Sequence, residues 1–215
     1  MAKSIEILGA KHTWLGFIDS GYPEGDPKPA LPEGCFADIS IEEAAKPLIK
    51  LIREFKPQVV ITYDENGGYP HPDHIRTHEI TMFAYEHSGR RNDFPELGEP
   101  WQIYKVYYQK GFNFSQMMAI DNAFKELEKT NPYAEWMVDM EDDSDLITTK
   151  IDCAKYFEKR DEALKAHATQ VDPEGDWFAL PTEIIKKIWP TEDYQLAISR
   201  VAVETPETDL FQGLR

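Results

Sequence analysis

The sequence predicts an α/β protein in which a mostly parallel sheet is covered by helices. The first observation is that segments with helical spacing alternate with short apolar segments typical of strands along most of the chain. The second is that a polar, glycine-containing loop directly follows one of these strands, where open α/β sheets place their ligands. The length of 215 residues, 41% of them hydrophobic, indicates a single domain over residues 1–215.

Charge and cysteine content argue against a nucleic-acid-binding, membrane-bound or disulfide-rich secreted protein. The formal net charge is −16 at pH 7, so the chain would repel nucleic acid and anionic membrane surfaces. Cys35 and Cys153 are the only cysteines, too few for a disulfide framework or for a zinc site built from cysteine alone. No apolar run approaches the ~20 residues that span a bilayer, and no signal-peptide pattern opens the sequence. We therefore expect a cytoplasmic protein with no nucleic-acid or membrane partner.

The first forty residues predict a short helix, a strand and a loop. Ala2–Leu8 has the composition of the last two turns of a helix, which Gly9 ends. His12–Ile18 has the composition of a strand. Asp19–Gly34 carries four prolines and several glycines, which is typical of an ordered loop of the kind that borders a pocket.

A long amphipathic helix follows this loop. Ser40 and Glu43 have the spacing of a capping box, and apolar residues then share one helical face as far as Phe55. Pro47 lies inside this helix, where it removes one backbone hydrogen bond and bends the axis.

The alternation of strands and helices continues to the end of the sequence. An acidic run at residues 141–145 lacks the spacing of a calcium-binding loop and predicts a solvated loop. The other predicted elements are strand Val59–Tyr63, a helix with spacing from Ile75 to about His87, strand Ile103–Gln109, a helix capped by Ser115, helix Cys153–Ala168, short helix Pro181–Trp189 and strand Tyr194–Val203.

The loop between Val59–Tyr63 and the next helix carries the candidate chemistry. Its last eight residues, ending at His74, read Gly-Gly-Tyr-Pro-His-Pro-Asp-His. A catalytic zinc site needs about three nitrogen or oxygen ligands and an open position for water, and His71, Asp73 and His74 supply suitable atoms. Three side chains within four residues can hardly all reach one ion. We therefore expect one ligand, one orienting group and one acid–base or oxyanion group.

Simpler interpretations of the same residues stay open. His74 and His78 have the i, i+4 spacing of a helical metal pair, but histidines at this spacing also cap or pack. Gly67 and Gly68 form a turn with positive φ, and such a turn also lets a substrate approach the backbone. The sequence has no phosphate-loop lysine and no dinucleotide fingerprint, which excludes nucleotide binding.

The segment from Thr62 to His74, Thr-Tyr-Asp-Glu-Asn-Gly-Gly-Tyr-Pro-His-Pro-Asp-His, resembles the second metal motif of the LmbE-like, PIG-L-like superfamily of zinc-dependent deacetylases. Further segments, spread along nearly the whole chain, resemble the mycothiol S-conjugate amidase branch of that superfamily. These segments are His12–Phe17, Asp19–Gly21, Pro132–Trp136, Ala166–Gln170 and Trp189–Asp193.

The resemblance implies a Rossmann-like α/β fold and a zinc-dependent amidase. The implied substrate is a small-molecule thiol conjugate, cleaved at the amide between glucosaminyl-inositol and an S-conjugated N-acetylcysteine in thiol detoxification. His74 matches the family's metal-ligand histidine and His71 its catalytic histidine. Asp73 matches the carboxylate that orients and tunes His71 through a hydrogen bond. Tyr69 matches a mobile tyrosine that helps stabilise the tetrahedral intermediate.

The implied mechanism combines zinc with the histidine loop. Zinc lowers the pKa of bound water and polarises the amide carbonyl. Protonated His71 stabilises the oxyanion or protonates the departing amine.

One family motif is absent from the sequence. The first motif, Ala-His-Pro-Asp-Asp-Glu, supplies two metal ligands and the aspartate base, and it occurs nowhere in the 215 residues. Because the predicted helix at Ala2–Leu8 also lacks a start, we expect an N-terminally truncated domain without the first strand. With one of three ligands present, we expect such a chain to bind zinc weakly and to have little amidase activity.

Two other functions stay open at this point. An N-acetylglucosaminyl-inositol deacetylase of mycothiol biosynthesis shares the Gly-Gly-Tyr and His-Pro-Asp-His residues. A noncatalytic remnant would keep a sugar-sized pocket without the metal centre. Asp19 and Gln170 are candidates for inositol contact by loop position and polarity, and a purely structural role is equally open for each. The oligomeric state is not indicated.

Overall fold

A computed structural model describes all residues, 1–215. The chain folds into two compact units. The site unit contains residues 14–109, 194–205 and 210–215, and the helical unit contains residues 1–13, 110–193 and 206–209. The helices and strands are α1 (Ala2–Leu8), α2 (Ile41–Phe55), β1 (Val59–Thr62), α3 (Pro72–His87), β2 (Lys105–Gln109), α4 (Phe114–Glu126), β3 (Thr149–Asp152), α5 (Phe157–Lys165), α6 (Thr182–Ile188) and β4 (Thr191–Ser199).

The four strands form a mixed sheet in the order β1-β2-β4-β3. Strands β1 and β2 are parallel, with Val59 opposite Lys105, whereas β2 and β4 are antiparallel, with Lys105 opposite Ser199. The α/β class predicted from the alternating pattern is confirmed. The sheet is less parallel than expected because alternation of helices and strands along the chain does not fix the direction in which the last strand enters.

The core of the site unit lies between α2, α3 and the sheet. Ser40 caps α2, its Oγ accepting from the backbone N–H of Glu43 at 3.3 Å. The fully or almost fully buried core side chains include Ala44, Ile49, Ile80, Ala84 and Val106. Phe55, expected on the buried face of α2, is 69% exposed, so this part of the prediction was wrong. The helix ends immediately after Phe55, at Lys56 with φ 58°.

Arg53 on α2 is a buried charged group of the site unit. It is only 3% exposed. Its Nε and both terminal nitrogens donate to six backbone carbonyls at 2.5–3.3 Å, those of His87, Ser88, Arg90, Asp93, Phe94 and Gly98. One guanidinium thus satisfies the carbonyls of the irregular segment after α3, which helical periodicity alone does not predict.

The helical unit packs α1 against α5 and α4 against α6. Its core is formed by Met117, Ile120, Ala123, Phe124, Tyr133 and Leu180. The sequence did not predict β3, whose Thr149 bridges to Glu207 in parallel and donates from Oγ1 to Glu207 Oε2 at 3.2 Å. Both residues are fully buried. The strand is short and polar, so it lacks the apolar alternation that marks a strand in a sequence.

The prediction of a strand at His12–Ile18 was wrong. No regular element forms there, and Trp14 and Ile18 are 73% and 65% exposed. Gly16 has φ +86°, outside the β region. The strand-like composition is not accompanied by a partner strand, so no ladder of hydrogen bonds forms.

Several element boundaries also differ from the prediction. Helix α4 begins two residues earlier than expected because Asn113, not Ser115, caps it, its Oδ1 accepting from Gln116 N–H at 3.0 Å. Helix α5 is shorter than predicted and is preceded by a 3₁₀ turn at Ala154–Tyr156. Strand β4 begins and ends earlier than Tyr194–Val203. Helices α1 and α6 agree with the prediction to within a residue.

The helices are too short or too polar for a bilayer: none could cross a membrane. Cys35 and Cys153 form no disulfide.

Candidate active site

The candidate site lies in the site unit, where β1 ends and α3 begins. Strand β1 ends at Thr62 and α3 starts at Pro72, three residues before the predicted start. The intervening loop and the first turn of α3 hold Tyr69, His71, Asp73 and His74. The structure therefore brings all four predicted site residues together at the carboxyl end of a strand.

The loop is held by one carboxylate and one glycine. Asp64 Oδ1 accepts from the backbone N–H groups of Asn66 at 3.1 Å and of Gly68 at 3.0 Å. Gly67 has φ +74°, and a Cβ there would lie 2.8 Å from His74 Cβ and 2.9 Å from the carbonyl oxygen of Tyr69. Only glycine allows the loop to pass this close to the start of α3.

His74 has one nitrogen occupied and one available. Its Nδ1 lies 2.9 Å from the carbonyl oxygen of Gly67. A carbonyl only accepts, so Nδ1 carries the proton and Nε2 keeps its lone pair. The ring stacks on Tyr63, with centroids 4.2 Å apart at 9°, and meets the edge of Tyr69 at 4.7 Å. Metal-ligating histidines are commonly oriented in this way, by a hydrogen bond at the other nitrogen.

In His71, Nδ1 is a hydrogen-bond acceptor, whereas in His74 it is a donor. It is the N-cap of α3, and its Nδ1 accepts from the backbone N–H of Asp73 at 3.1 Å. Because that N–H can only donate, a neutral His71 carries its proton on Nε2. The rings of His71 and His74 have centroids 5.2 Å apart. The site thus presents one Nε2 that donates beside one Nε2 that accepts.

The carboxylate of Asp73 does not contact His71 in the way the resemblance implied. Its Oδ2 accepts from the backbone N–H of Ser20 at 3.2 Å, while Oδ1 is buried and has no partner. The contact with His71 is made by the Asp73 backbone N–H instead. The reason is local: as the second residue of α3, Asp73 points its N–H back at the N-cap side chain.

Two half-exposed tyrosine rings flank His71. Tyr69 is 51% exposed and presents its edge to His71 at 5.9 Å. Tyr22 is 46% exposed and stacks on His71, with centroids 5.6 Å apart at 22°. Burial, followed by the electrostatic effect of the neighbouring Tyr69 hydroxyl, raises the pKa of the Tyr63 hydroxyl above its ordinary value.

His78 does not join the other histidines in a metal cluster. Its Nδ1 lies 3.0 Å from the carbonyl oxygen of Tyr63, and its ring meets Tyr108 at 5.4 Å. Burial, followed by the nearby carboxylates of Glu65 and Asp64, raises the pKa of Tyr108. No group of three or more His, Cys, Asp or Glu side chains could hold a metal ion. His74 presents an Nε2 lone pair, but the residues of this chain do not form a complete zinc site.

The two candidate inositol contacts differ in position. Asp19 lies in the loop before the site, where its Oδ1 accepts from the backbone N–H of Gly21 at 2.7 Å and stabilises a turn. Gln170 belongs to the helical unit. Its backbone N–H donates to the carbonyl of His167 at 2.9 Å.

Three residues that contact the site were missed in the sequence. Ser20 binds Asp73, Tyr22 stacks on His71 and Tyr63 stacks on His74. The position of Tyr63, directly before the loop, was a usable signal. The composition of Asp19–Gly34 was typical of a loop that borders a pocket, but no local pattern predicted that Ser20 and Tyr22, about fifty residues earlier in the sequence, would contact the histidine loop.

Comparison with known proteins places these residues in a family. Residues 1–85 match the model of the PIG-L family, described as GlcNAc-PI de-N-acetylase. The whole chain is 51% identical to a mycothiol S-conjugate amidase of Streptomyces coelicolor, covering 75% of that protein. It is also 36% identical to a 1D-myo-inositol 2-acetamido-2-deoxy-alpha-D-glucopyranoside deacetylase of Streptomyces avermitilis, covering 74% of that protein.

The fold comparison agrees with this assignment at the level of architecture. The crystal structure of a conserved protein from Thermus thermophilus superposes with a TM-score of 0.54, covering 94% of this chain and 73% of that one at 17% identity. At this identity the likeness shows the fold alone. Through its identity to the amidase and the deacetylase, the chain belongs to the PIG-L family of amide-hydrolysing enzymes.

Proposed function

We propose that this protein is an amidase that hydrolyses mycothiol S-conjugates in the cytoplasm. The products are an N-acetylcysteine S-conjugate and glucosaminyl-inositol, and the role is detoxification of thiol-reactive compounds. The observation that carries the proposal is 51% identity along the entire chain to a mycothiol S-conjugate amidase, against 36% to a deacetylase that acts on a related sugar.

His74 is the residue proposed to bind zinc. Its Nε2 lone pair is available because Nδ1 is held by Gly67, and stacking on Tyr63 fixes the plane of the ring. The other ligand positions of a zinc centre are not supplied by these 215 residues. We therefore assign reaction roles only to the side chains that the chain does contain.

His71 is proposed to donate a proton or a hydrogen bond during amide cleavage. Attack on the amide carbonyl places negative charge on its oxygen, and departure of the amine requires a proton on its nitrogen. His71 presents Nε2–H while Nδ1 accepts from Asp73 N–H: as a neutral imidazole it donates a hydrogen bond to that oxygen, and as an imidazolium it transfers a proton to the amine nitrogen. In the neutral state the ring is therefore already a donor.

Asp73 and Tyr69 complete the proposed set. Asp73 donates to His71 through its backbone N–H. Its carboxylate accepts from the backbone N–H of Ser20 and so anchors the loop Asp19–Gly34. Its second oxygen, Oδ1, is buried and has no hydrogen-bond partner. Tyr69 is exposed enough to move, and its hydroxyl is proposed to donate to the tetrahedral intermediate.

Release of the product amine tests the function. Glucosaminyl-inositol carries a free amine that the intact conjugate lacks, so an amine-reactive dye measures hydrolysis. The assay is run with a mycothiol S-conjugate and with the N-acetylated sugar, on the 215-residue chain and on a version with Ala-His-Pro-Asp-Asp-Glu and its flanking segment ahead of Met1. We expect the longer version to hydrolyse the S-conjugate faster than the acetylated sugar, and the shorter chain to be slow on both.

The other outcomes select the competing functions. A higher kcat/KM on the acetylated sugar would identify a deacetylase, as the second relative's name suggests for that protein. Absence of amine release from both substrates by the longer version would refute the amidase. In that case, a thermal shift with glucosaminyl-inositol and none with zinc would identify a noncatalytic sugar-binding protein.

A further inference from the structure

A loop far from the histidine loop in the sequence contributes an aromatic ring to the site. Tyr22 belongs to the loop Asp19–Gly34, and its ring lies nearly parallel to the imidazole of His71, with centroids 5.6 Å apart at 22°. It also lies 6.1 Å from the ring of Tyr69. Both distances are within the range of favourable aromatic contact.

Three hydrogen bonds and the backbone conformation of Gly21 place Tyr22 in this position. Asp19 Oδ1 accepts from Gly21 N–H at 2.7 Å, and the N–H of Ser20 binds the Asp73 carboxylate at 3.2 Å. Ser20 Oγ accepts from the N–H of Ala37 at 2.8 Å, which ties the two ends of the loop together. Gly21, with φ +68°, then reverses the direction of the chain directly before Tyr22.

The tyrosine ring itself is supported from outside the site. Lys28 Nζ lies 5.6 Å from the ring centroid of Tyr22, a cation–π contact within the loop. Four prolines between residues 23 and 32 restrict the loop backbone. The ring is therefore held at a low cost in conformational entropy, although it is 46% exposed.

His71 needs such support because one hydrogen bond does not fix a ring. The bond from Asp73 N–H to Nδ1 holds one edge of the imidazole, and rotation of the side chain remains opposed only by its neighbours. A half-turn of the ring about its Cβ–Cγ bond would break that bond and move Nε2–H away from its present direction. Tyr22 covers one face of the ring and Tyr69 meets it edge-on.

We propose that Tyr22 is a positioning residue, whose ring holds the His71 imidazole in the single orientation and tautomer that presents Nε2–H to the substrate. This inference rests on the proposed function for its effect on turnover. The orientation and tautomer of the His71 imidazole can, however, be measured without turnover.

The first arm of the test measures the ring nitrogens of His71. The ¹⁵N shifts of a histidine report which nitrogen carries the proton, and the His71→Gln variant assigns the signals. The chain is labelled on histidine and compared with Tyr22→Leu, which removes the ring, and with Tyr22→Phe, which keeps it. We expect the native chain and Tyr22→Phe to show one Nε2–H tautomer, and Tyr22→Leu to show shifts averaged between both tautomers.

A matched control is available in the helical unit. Tyr156 is 54% exposed and carries Lys155 Nζ over its ring at 4.9 Å, so Tyr156→Leu removes a comparable lysine–tyrosine contact elsewhere. We expect this variant to leave the His71 signals unchanged. Thermal unfolding of every variant shows whether a change in His71 accompanies a general loss of structure.

The second arm measures hydrolysis of a mycothiol S-conjugate by the same substitutions made in the longer version that carries Ala-His-Pro-Asp-Asp-Glu ahead of Met1. Misorientation of a reacting group lowers the rate of the chemical step more than it lowers the affinity for substrate. Tyr22→Leu should therefore reduce kcat about tenfold and leave KM within about twofold of the native value, while Tyr22→Phe should keep kcat near the native value. A raised KM with unchanged kcat would make Tyr22 a substrate-binding residue and overturn the proposal. So would a His71 tautomer that is the same in Tyr22→Leu as in the native chain.

The two arms separate the inference from the function on which it rests. If the longer version does not release amine from the conjugate, the proposed function is refuted, and the ¹⁵N shifts alone decide whether Tyr22 holds His71. If turnover is present but the ¹⁵N shifts do not respond to Tyr22→Leu, the amidase stands and the positioning role is refuted.

Discussion

His74 Nδ1 donates to the carbonyl oxygen of Gly67 at 2.9 Å, across seven residues of the site loop. This contact requires the loop to pass close to α3, and a Cβ at Gly67 would lie 2.8 Å from His74 Cβ. The glycine therefore determines both the shape of the loop and the direction of the His74 ring. The same contact leaves His74 Nε2 as the available nitrogen of the site.

Replacement of Gly67 by alanine should destabilise the protein strongly. The added methyl group meets His74 and the Tyr69 backbone, and the residue has φ +74°, so strain and overpacking combine to a loss of about 3 kcal/mol or more in the free energy of unfolding. Urea denaturation measures the loss.

Gly68 provides the control for that substitution. Its φ is +73°, but a Cβ there would lie no closer than 3.6 Å to any other group, and that group is the Tyr63 ring. Gly68→Ala should therefore lose only the backbone strain, about 1–2 kcal/mol. Equal losses for the two variants would show that contact with His74 is unimportant.

The histidines of the site should differ in their effect on zinc. Of His71 and His74, only His74 has its Nδ1 bound to a carbonyl and its Nε2 lone pair available, and no group of three ligands is present, so we expect the dialysed 215-residue chain to retain well under one zinc per molecule. His74→Ala should abolish the residual binding and His71→Ala should leave it nearly unchanged. Metal content by plasma mass spectrometry measures both.

Two results would contradict this assignment. Near-stoichiometric zinc in a monodisperse sample of the native chain would show that a full ligand set exists. An equal loss of zinc in His71→Ala and His74→Ala would make His71 a ligand and remove it from the role of proton donor.

Arg53 should be among the most sensitive positions of the site unit for stability. Its replacement by methionine leaves six backbone carbonyls without their donor in a buried region, which we expect to cost about 3–5 kcal/mol. Arg53→Lys should recover only part of this, because an ammonium cannot span the positions that a guanidinium reaches. Arg91→Met, at an exposed arginine in the same segment, is the control. A small loss at Arg53 in urea denaturation would contradict the prediction.

Glu192 in β4 should make stability depend on pH. Burial raises the pKa of its carboxyl above the ordinary value, against the opposing effect of Arg160, whose Nη1 lies 3.6 Å from Glu192 Oε1. The folded protein then binds the proton more tightly than the unfolded chain. The contribution of this group to the free energy of unfolding is therefore greatest below the unfolded pKa and is lost as pH rises through the folded pKa.

The Glu192→Gln variant isolates this effect. Glutamine does not titrate, so the free energy of unfolding of the variant should rise relative to that of the native protein as pH rises from about 4 to 7. Because Glu192 is partly exposed, we expect this relative change to be less than about 1 kcal/mol. Urea denaturation at several pH values measures the difference, with Glu126→Gln on the exposed surface of α4 as the control. A difference that is independent of pH would refute the raised pKa.

Local sequence patterns predicted the helices well where a specific residue type within a few positions starts or ends the helix. The capping box at Ser40 places the start of α2, and Gly9 ends α1 at the residue expected. The same reasoning failed for His12–Ile18, whose composition suits a strand but which has no partner strand. It also missed β3, a polar strand stabilised by the contact of Thr149 with Glu207, 58 residues later.

The sequence by itself determined that Tyr69, His71, Asp73 and His74 would lie together after a strand, because they are contiguous and follow an apolar run. It also determined the family, through a motif that depends on residue type and order. Only the tertiary structure decided which nitrogen of each histidine is occupied, that the Asp73 carboxylate binds Ser20, and that Tyr22 stacks on His71. Those facts depend on hydrogen bonds and ring contacts, several of them between segments far apart in the chain, and chain folding rather than local periodicity brings such segments into contact.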